Sequence, residues 1–104
     1  MSHYSIVKIK LKNVNRNLLT GAVKELAREL NAEIVDVIRD ATGRMRSDFL
    51  IGLKNSTFYR GVGINVNKNG EVMLVGDFWR IPRSEVDALK KKIVQYYTAA
   101  AIAH

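Results

Sequence analysis

Residues 61–75 read GVGINVNKNGEVMLV, and this stretch decides the fold. Its first half places an apolar residue at every second position: Val62, Ile64 and Val66. This period of two predicts a strand, which we extend from about Phe58 to Asn67. Asn69 and Gly70 predict a type I′ hairpin turn, because both residues adopt positive φ at low cost. A returning strand over residues 72–75 completes an antiparallel hairpin.

Two glycines, Gly61 and Gly63, leave one face of the predicted strand without side chains. A phosphate-binding loop needs its glycines between a strand and the N-terminus of a helix, and these lie inside a strand. We therefore interpret them as a bulge, or as a face against which another backbone or a large aromatic ring packs closely.

The chain before this hairpin contains three further strands and one helix. Residues 5–12 alternate apolar side chains with lysines, which predicts a half-buried strand. Apolar residues spaced by three and four over 19–30 predict an amphipathic helix that ends at Asn31. Residues 33–39 and 49–53 predict two more strands.

The chain after the hairpin meets Pro82, its only proline, and this residue favours the start of a final helix. The predicted order is therefore β-α-β-β-β-β-α. Strands with short connections pair most readily as an antiparallel meander. We predict an α+β fold, a single domain over residues 1–104, with an antiparallel sheet of about five strands and two helices packed on one face.

Composition limits the classes of protein that fit. The chain is 47% hydrophobic and 26% charged, as expected for a domain with one core. It lacks the run of roughly 18 apolar residues that a membrane span needs, and because no basic region followed by an apolar block stands near Met1 we expect no signal sequence. We expect a cytoplasmic protein that does not associate with membranes. The absence of cysteine excludes disulfides and thiolate chemistry.

The residues needed for catalysis are sparse. The two histidines, His3 and His104, stand at the ends of the chain, so no central histidine is available as a base for a serine nucleophile. No cluster of histidine and carboxylate residues has the spacing of metal ligands. We expect no catalytic residue, no cofactor and no metal, and our leading hypothesis is a non-enzymatic binding or adaptor domain that acts through its sheet surface.

A family resemblance rests on short motifs at both ends of the chain. Residues 1–8 read MSHYSIVK, and the second half contains a glycine-bearing strand, a hairpin, an acidic strand end and a terminal helix: Val62, Gly63, Ile64, Asn65, Gly70, Leu74, Val75, Asp77, Trp79, Ile93, Gln95, Tyr96, Tyr97 and Ile102. Together they resemble the hypothetical chloroplast reading frame thirty-five family of plastid and cyanobacterial genomes. Ile64 and Thr98 depart from its pattern. The resemblance implies a shared domain and no established activity, so no catalytic residue is carried over.

Excess positive charge suggests a second hypothesis. Seventeen Lys and Arg residues against ten Asp and Glu give a net charge of +7, which attracts polyanions. The basic residues form a strand group, a loop group and a helix group: Lys8, Lys10 and Lys12; Arg39, Arg44 and Arg46; Lys90, Lys91 and Lys92. The strand and loop groups are candidate phosphate contacts of a nucleic-acid-binding protein, with Tyr59 as a stacking side chain. Alternatively, the strand lysines protect a sheet edge and the helix lysines are solvated.

Two further possibilities stay open. Asp77 and Trp79 end a predicted strand, and with His3 they are candidates for a small-molecule pocket. Alternatively, Asp77 caps a turn or pairs with Arg80 or His3, and Trp79 packs in the core. The alanine-rich end of the last helix and a free sheet edge suggest association with a protein partner or a second copy.

Overall fold

The predicted central hairpin is present in the computed structural model, which describes residues 3–103. These residues form two helices and seven strands: β1 (Ser5–Ile9), α1 (Arg16–Glu29), β2 (Glu33–Val35), β3 (Ile38–Arg39), β4 (Met45–Arg46), β5 (Ile51–Lys54), β6 (Val62–Val66), β7 (Val72–Gly76) and α2 (Arg83–Ala103). Three residues that entered the sequence analysis, Met1, Ser2 and His104, lie outside the described part of the chain.

Five strands form the main sheet in the order β1-β7-β6-β5-β2, and every neighbouring pair is antiparallel. The core lies between one face of this sheet and the two helices, where side chains of both layers are buried: Ile9, Leu53, Ile64 and Leu74 from strands, and Leu19, Leu26, Leu89 and Ile93 from helices. The predicted α+β class, with two helices on one face of a five-stranded sheet, is confirmed.

The predicted strand over residues 33–39 is wrong as one element. Its first half, β2, pairs with β5 at the edge of the main sheet, whereas β3 pairs with β4 in a separate two-stranded ladder. The two halves of this segment differ in how deeply their isoleucines are buried. Ile34 is 43% exposed at the sheet edge, but Ile38 is 1% exposed and contacts Gly61. The segment changes partner so that Ile38 can leave solvent.

Three strand boundaries also differ from the predictions. The first strand ends at Ile9 rather than at Lys12, because the chain bends and the Leu11 N–H bonds the Ile9 carbonyl at 2.8 Å. The third begins at Ile51 rather than at Phe49. The fourth begins at Val62, because Gly61 has a φ of +90° and interrupts the extended chain before it.

The hairpin turn between β6 and β7 is not type I′, because that turn needs positive φ at both central residues and Asn69 does not have it. Instead, the Asn67 side-chain oxygen accepts the N–H groups of Asn69 and Glu71, each at 2.9 Å. Gly70 alone, with a φ of +80°, takes the left-handed position. The loop therefore has three residues and closes on a glycine bulge.

Aromatic packing on the glycine-bearing face is confirmed for Gly63. Gly63 pairs with Gly52 of β5, and the Phe49 ring lies over both. A Cβ atom on Gly63 would stand 2.7 Å from Cγ of Phe49, which is too close for a real contact. Because neither glycine has a side chain, the Phe49 ring packs directly on the backbone of the helix-free face of the sheet.

Neither α1 nor α2, the helices within residues 3–103, is long and apolar enough to cross a membrane.

Candidate functional site

Two aromatic–arginine pairs meet at one end of the central hairpin. Tyr59 and Arg60 precede β6, and Trp79 and Arg80 follow β7. Because β6 and β7 are antiparallel, the start of β6 and the end of β7 lie at the same end of the sheet. We call these four residues the arginine–aromatic cluster.

Arg60 holds the cluster together. One terminal nitrogen of its guanidinium donates to the carbonyls of Asp77 at 3.1 Å and Trp79 at 2.8 Å. The other donates to the Tyr59 hydroxyl. Its Cζ lies 4.5 Å from the centre of the Tyr59 ring and 5.9 Å from that of Trp79, within the range of cation–π attraction. These contacts fix a positive charge between two aromatic rings.

Arg80 adds a second guanidinium, whose Cζ lies 4.6 Å from the centre of the Trp79 ring. Its backbone has a φ of +67°, a conformation that costs a residue with a Cβ roughly 1–2 kcal/mol. The two rings remain accessible, since Tyr59 is 47% and Trp79 44% exposed. The cluster therefore offers solvent two aromatic surfaces, each beside a fixed positive charge.

Asp77 is buried, and both of its carboxylate oxygens are engaged. One oxygen accepts the Ala41 N–H at 2.7 Å and the other accepts the Trp79 N–H at 3.1 Å. This carboxylate thus ties the β3–β4 hairpin to the turn that carries the cluster. His3 is exposed and forms neither an ion pair nor a hydrogen bond with Asp77, and the grouping of His3, Asp77 and Trp79 as a pocket stays a prediction.

The β3–β4 hairpin is ordered by a second carboxylate. Asp40 accepts the N–H groups of Thr42 and Arg44 at 3.0 and 2.9 Å, and the Thr42 hydroxyl at 2.6 Å. Hydrogen bonding to the Thr42 hydroxyl is the main reason that the pKa of Asp40 lies below its ordinary value. The Tyr4 hydroxyl donates to the Arg44 carbonyl, and burial raises the pKa of Tyr4.

The three arginines predicted around this hairpin differ in what they contact. Arg39 and Arg44 are exposed, and the Arg39 N–H donates to the Arg60 carbonyl at 2.9 Å, which places β3 beside the cluster. Arg46 is neutralised by an ion pair with Asp48 and stacks on Tyr4, with its Cζ 5.5 Å from the ring centre. Arg39 and Arg44 therefore keep their charges available, and Arg46 does not.

The strand and helix lysines come together only in part. Lys10 meets Lys90 and Lys91 around a groove of about 520 Å³ between the end of β1 and α2. Lys8 lies on the other face of the sheet, where its register partner is Met73. Lys92 pairs with Glu29 at 2.9 Å, so it is not free. We call the first site, lined by Ile9, Lys10, Asp87, Lys90, Lys91, Val94 and Gln95, the lysine groove.

The cluster and the lysine groove combine exposed aromatic rings, guanidinium groups and ammonium groups. Within residues 3–103, no group of three or more histidine and carboxylate residues could hold a metal ion. In the same part of the chain, every buried side-chain nitrogen and oxygen has a hydrogen-bond partner, so these buried polar groups serve the fold.

Comparisons with family models, curated proteins and solved structures found no match to the chain. The resemblance to the hypothetical chloroplast reading frame thirty-five family therefore stays a prediction.

Sequence reasoning singled out Tyr59 and Trp79 separately and assigned neither Arg60 nor Arg80 to a binding surface. One signal was present. The sequence contains an aromatic residue followed by arginine twice, once shortly before the first strand and once shortly after the second strand of one hairpin. An antiparallel hairpin brings the residues before its first strand next to those after its second strand. The repeated aromatic–arginine pair could therefore have predicted the cluster.

Proposed function

We propose that the protein is a binding domain for single-stranded nucleic acid, and that the arginine–aromatic cluster is its recognition surface. The observation that carries this proposal is the pair of half-exposed rings of Tyr59 and Trp79, held around the Arg60 guanidinium. Unpaired bases stack on such rings whatever their sequence, and a neighbouring guanidinium adds attraction for base and phosphate.

The charge of the chain supports the same proposal. A net charge of +7 steers polyanions toward the protein, Arg80 in the cluster and Arg39 beside it are exposed, and Arg44 is exposed on the β3–β4 hairpin. In this proposal the phosphates of a bound strand contact these arginines, and one or two bases stack on the rings of Tyr59 and Trp79. Asp77 and Arg60 fix the turn in advance, so little conformational freedom is lost on binding.

Single strands are favoured over duplexes because the recognition groups are ring faces. Bases in a duplex are stacked on each other and present only their edges, whereas a single strand can splay its bases onto aromatic side chains. The cluster also lies in turns at the end of a sheet, and neither helix presents it to a major groove.

Fluorescence anisotropy with labelled single-stranded and duplex oligonucleotides tests the proposal, at about 50 and about 200 mM salt, where phosphate contacts lose strength. We expect the single strand to bind more tightly and both affinities to fall as salt rises. Replacing Tyr59 by Ala removes a ring and should weaken single-strand binding by roughly 1–3 kcal/mol. Tyr59→Phe keeps the ring and should keep most of the affinity.

Lys68→Gln is the matched control for charge. Lys68 is exposed in the loop at the opposite end of the same hairpin, so its loss lowers the net charge without touching the cluster. Weakening by Lys68→Gln with no weakening by Tyr59→Ala, which leaves the net charge unchanged, would show that only overall charge matters. That result, or no single-strand binding at the lower salt concentration, would overturn the proposal.

A further inference from the structure

The β1 edge of the main sheet is open. β1 pairs with β7 on one side, and no strand within residues 3–103 pairs with its other side. Alternate backbone N–H and C=O groups along Ser5–Ile9 therefore face outward without a strand partner. On the helix-free face of this edge, Ile6 is 57% exposed. An extended segment of another chain can complete such an edge by backbone hydrogen bonds.

The lysine groove runs beside this edge. Ile9 and Val94 give it an apolar floor, and its volume of about 520 Å³ leaves room for side chains. Lys10, Lys90 and Lys91 stand at its rim, and none of them forms an ion pair with the described residues. The groove carboxylate, Asp87, is engaged by Arg83 at 3.3 Å. The groove is therefore cationic.

From these two features we propose that β1 and the lysine groove bind an extended acidic segment of a partner protein as a sixth strand. Side chains of an added strand alternate between the two faces of the sheet. Those on the helix side meet Lys10 and the lysines of α2, and those on the other side meet Lys8. Acidic residues are thus attracted on both faces.

Protection of the edge against aggregation explains only part of this arrangement. Lysines on the strand itself, such as Lys8 and Lys10, are enough to discourage pairing with a neighbouring sheet. Lys90 and Lys91 belong to α2, and an apolar floor between helix and strand adds nothing to that protection. A cationic rim above an apolar floor fits a segment that carries both acidic and apolar residues on its helix-side face.

A second copy of β1 is a poor occupant of the same edge. Symmetric pairing of two β1 strands over Ser5–Ile9 would place Lys8 of one copy diagonally beside Lys8 of the other, and a register centred on Lys8 would place them directly opposite, where like charges are destabilising. The charge pattern therefore points to a partner with acidic residues rather than to a dimer through β1.

The probe for this proposal is a labelled peptide of about ten residues that repeats Glu-Glu-Val-Val, which places glutamate and valine on both faces of an added strand. We expect anisotropy to show binding. We also expect hydrogen exchange to show new protection of alternate β1 amides. A peptide of the same sequence, N-methylated at alternate residues on the side that would face β1, cannot form the ladder and should not bind.

Charge reversal in the groove provides the second arm. Lys90→Glu combined with Lys91→Glu should weaken peptide binding by about tenfold or more, because like charges then face the glutamates. The matched control is Lys24→Glu combined with Lys68→Glu, which makes the same change in net charge at exposed positions outside the groove. This control should reduce binding much less.

Three results would overturn the proposal. Equal binding of the methylated peptide would rule out strand addition, and displacement of the peptide by a single-stranded oligonucleotide would assign the groove to nucleic acid. Association of the free protein through β1, seen by sedimentation as a mass that rises with concentration and falls when Lys8 is replaced by Pro, would assign the edge to a second copy. Trp79→Ala should leave peptide binding unchanged, so failure here is distinct from failure of the nucleic-acid proposal.

Discussion

At the scale of single residues, Arg80 combines an unfavourable backbone conformation with an exposed charge. Its φ of +67° is one that glycine adopts freely, and its guanidinium stacks on Trp79. A residue that keeps such a conformation at an exposed turn is a candidate for function.

Replacing Arg80 by Gly separates these two contributions. Relief of the positive φ is worth about 1 kcal/mol and loss of an exposed cation–π contact costs about as much, so the free energy of unfolding should change by less than about 1 kcal/mol. Affinity for a single strand should fall, and the slope of log affinity against log salt should become shallower by about 0.7. Asn31→Gly, also at positive φ, is the control and should leave binding unchanged. Unchanged binding by the Arg80 variant would contradict the assignment.

Asp77 acts on the fold rather than on a ligand. Both oxygens accept backbone N–H groups, from Ala41 and from Trp79. Asp77→Asn would turn one acceptor into a donor that faces another donor. We expect the free energy of unfolding to fall by roughly 1–3 kcal/mol, measured by urea unfolding. An unchanged midpoint would show that these hydrogen bonds are dispensable.

Asp40 makes the β3–β4 hairpin sensitive to acid. Its pKa is lowered by hydrogen bonds, chiefly from the Thr42 hydroxyl, so its contribution to stability is complete above the ordinary aspartate pKa of about 3.9. That contribution is lost as the pH falls through the lower pKa of the folded state. Urea unfolding between about pH 5 and pH 2 should show a steeper loss of stability in the wild type than in Asp40→Asn. Equal slopes would contradict this role.

At the scale of elements, strand β6 carries Gly63 where the Phe49 ring packs against it. Gly63→Ala would place Cβ 2.7 Å from Cγ of Phe49, and such overpacking should cost roughly 1–3 kcal/mol. In a Phe49→Ala background the ring is absent, so the same substitution should cost much less. A double-mutant cycle on urea unfolding measures the difference. Equal costs in both backgrounds would show that the ring does not determine the glycine.

The same elements show what sequence reasoning reaches and what it does not. Alternation and helical spacing predicted the main strands and both helices, because each pattern reports which face a segment buries. Periodicity could not show that residues 33–39 serve two ladders, since Ile34 and Ile38 are both apolar in the sequence and only the structure shows that they have different strand partners and different burial. The left-handed end of α1 was predicted at Asn31 and is confirmed, with a φ of +51°.

At the scale of the whole molecule, the candidate surfaces depend on which segments the sheet brings together. Arg60 and Trp79 are 19 positions apart and become neighbours only through the β6–β7 hairpin. Lys10 and Lys90 meet only because α2 packs beside β1. Composition gave the sign of the charge but not its location. For this reason Arg39, Arg44 and Arg46 were all predicted as phosphate contacts, although Arg46 forms an ion pair with Asp48.

The lysine groove and the arginine–aromatic cluster lie at opposite ends of β7, whereas the β1 edge runs along the whole of that strand. Ile9, in the lysine groove, pairs with Val72 at the start of that strand, whereas Trp79 follows its end. Five residues of strand separate them, which is roughly 17 Å at the ordinary rise per residue. The cluster and the lysine groove are therefore separate surfaces.

The most direct test of this account uses the fluorescence of Trp79, which is the only tryptophan in the chain. If bases stack on its ring, titration with a short single-stranded oligonucleotide at low salt should quench and saturate the emission, and Arg80→Gly should weaken the effect. A duplex of the same sequence should quench little. Tight single-strand binding with no change in Trp79 emission would contradict the claim that the arginine–aromatic cluster is the recognition surface.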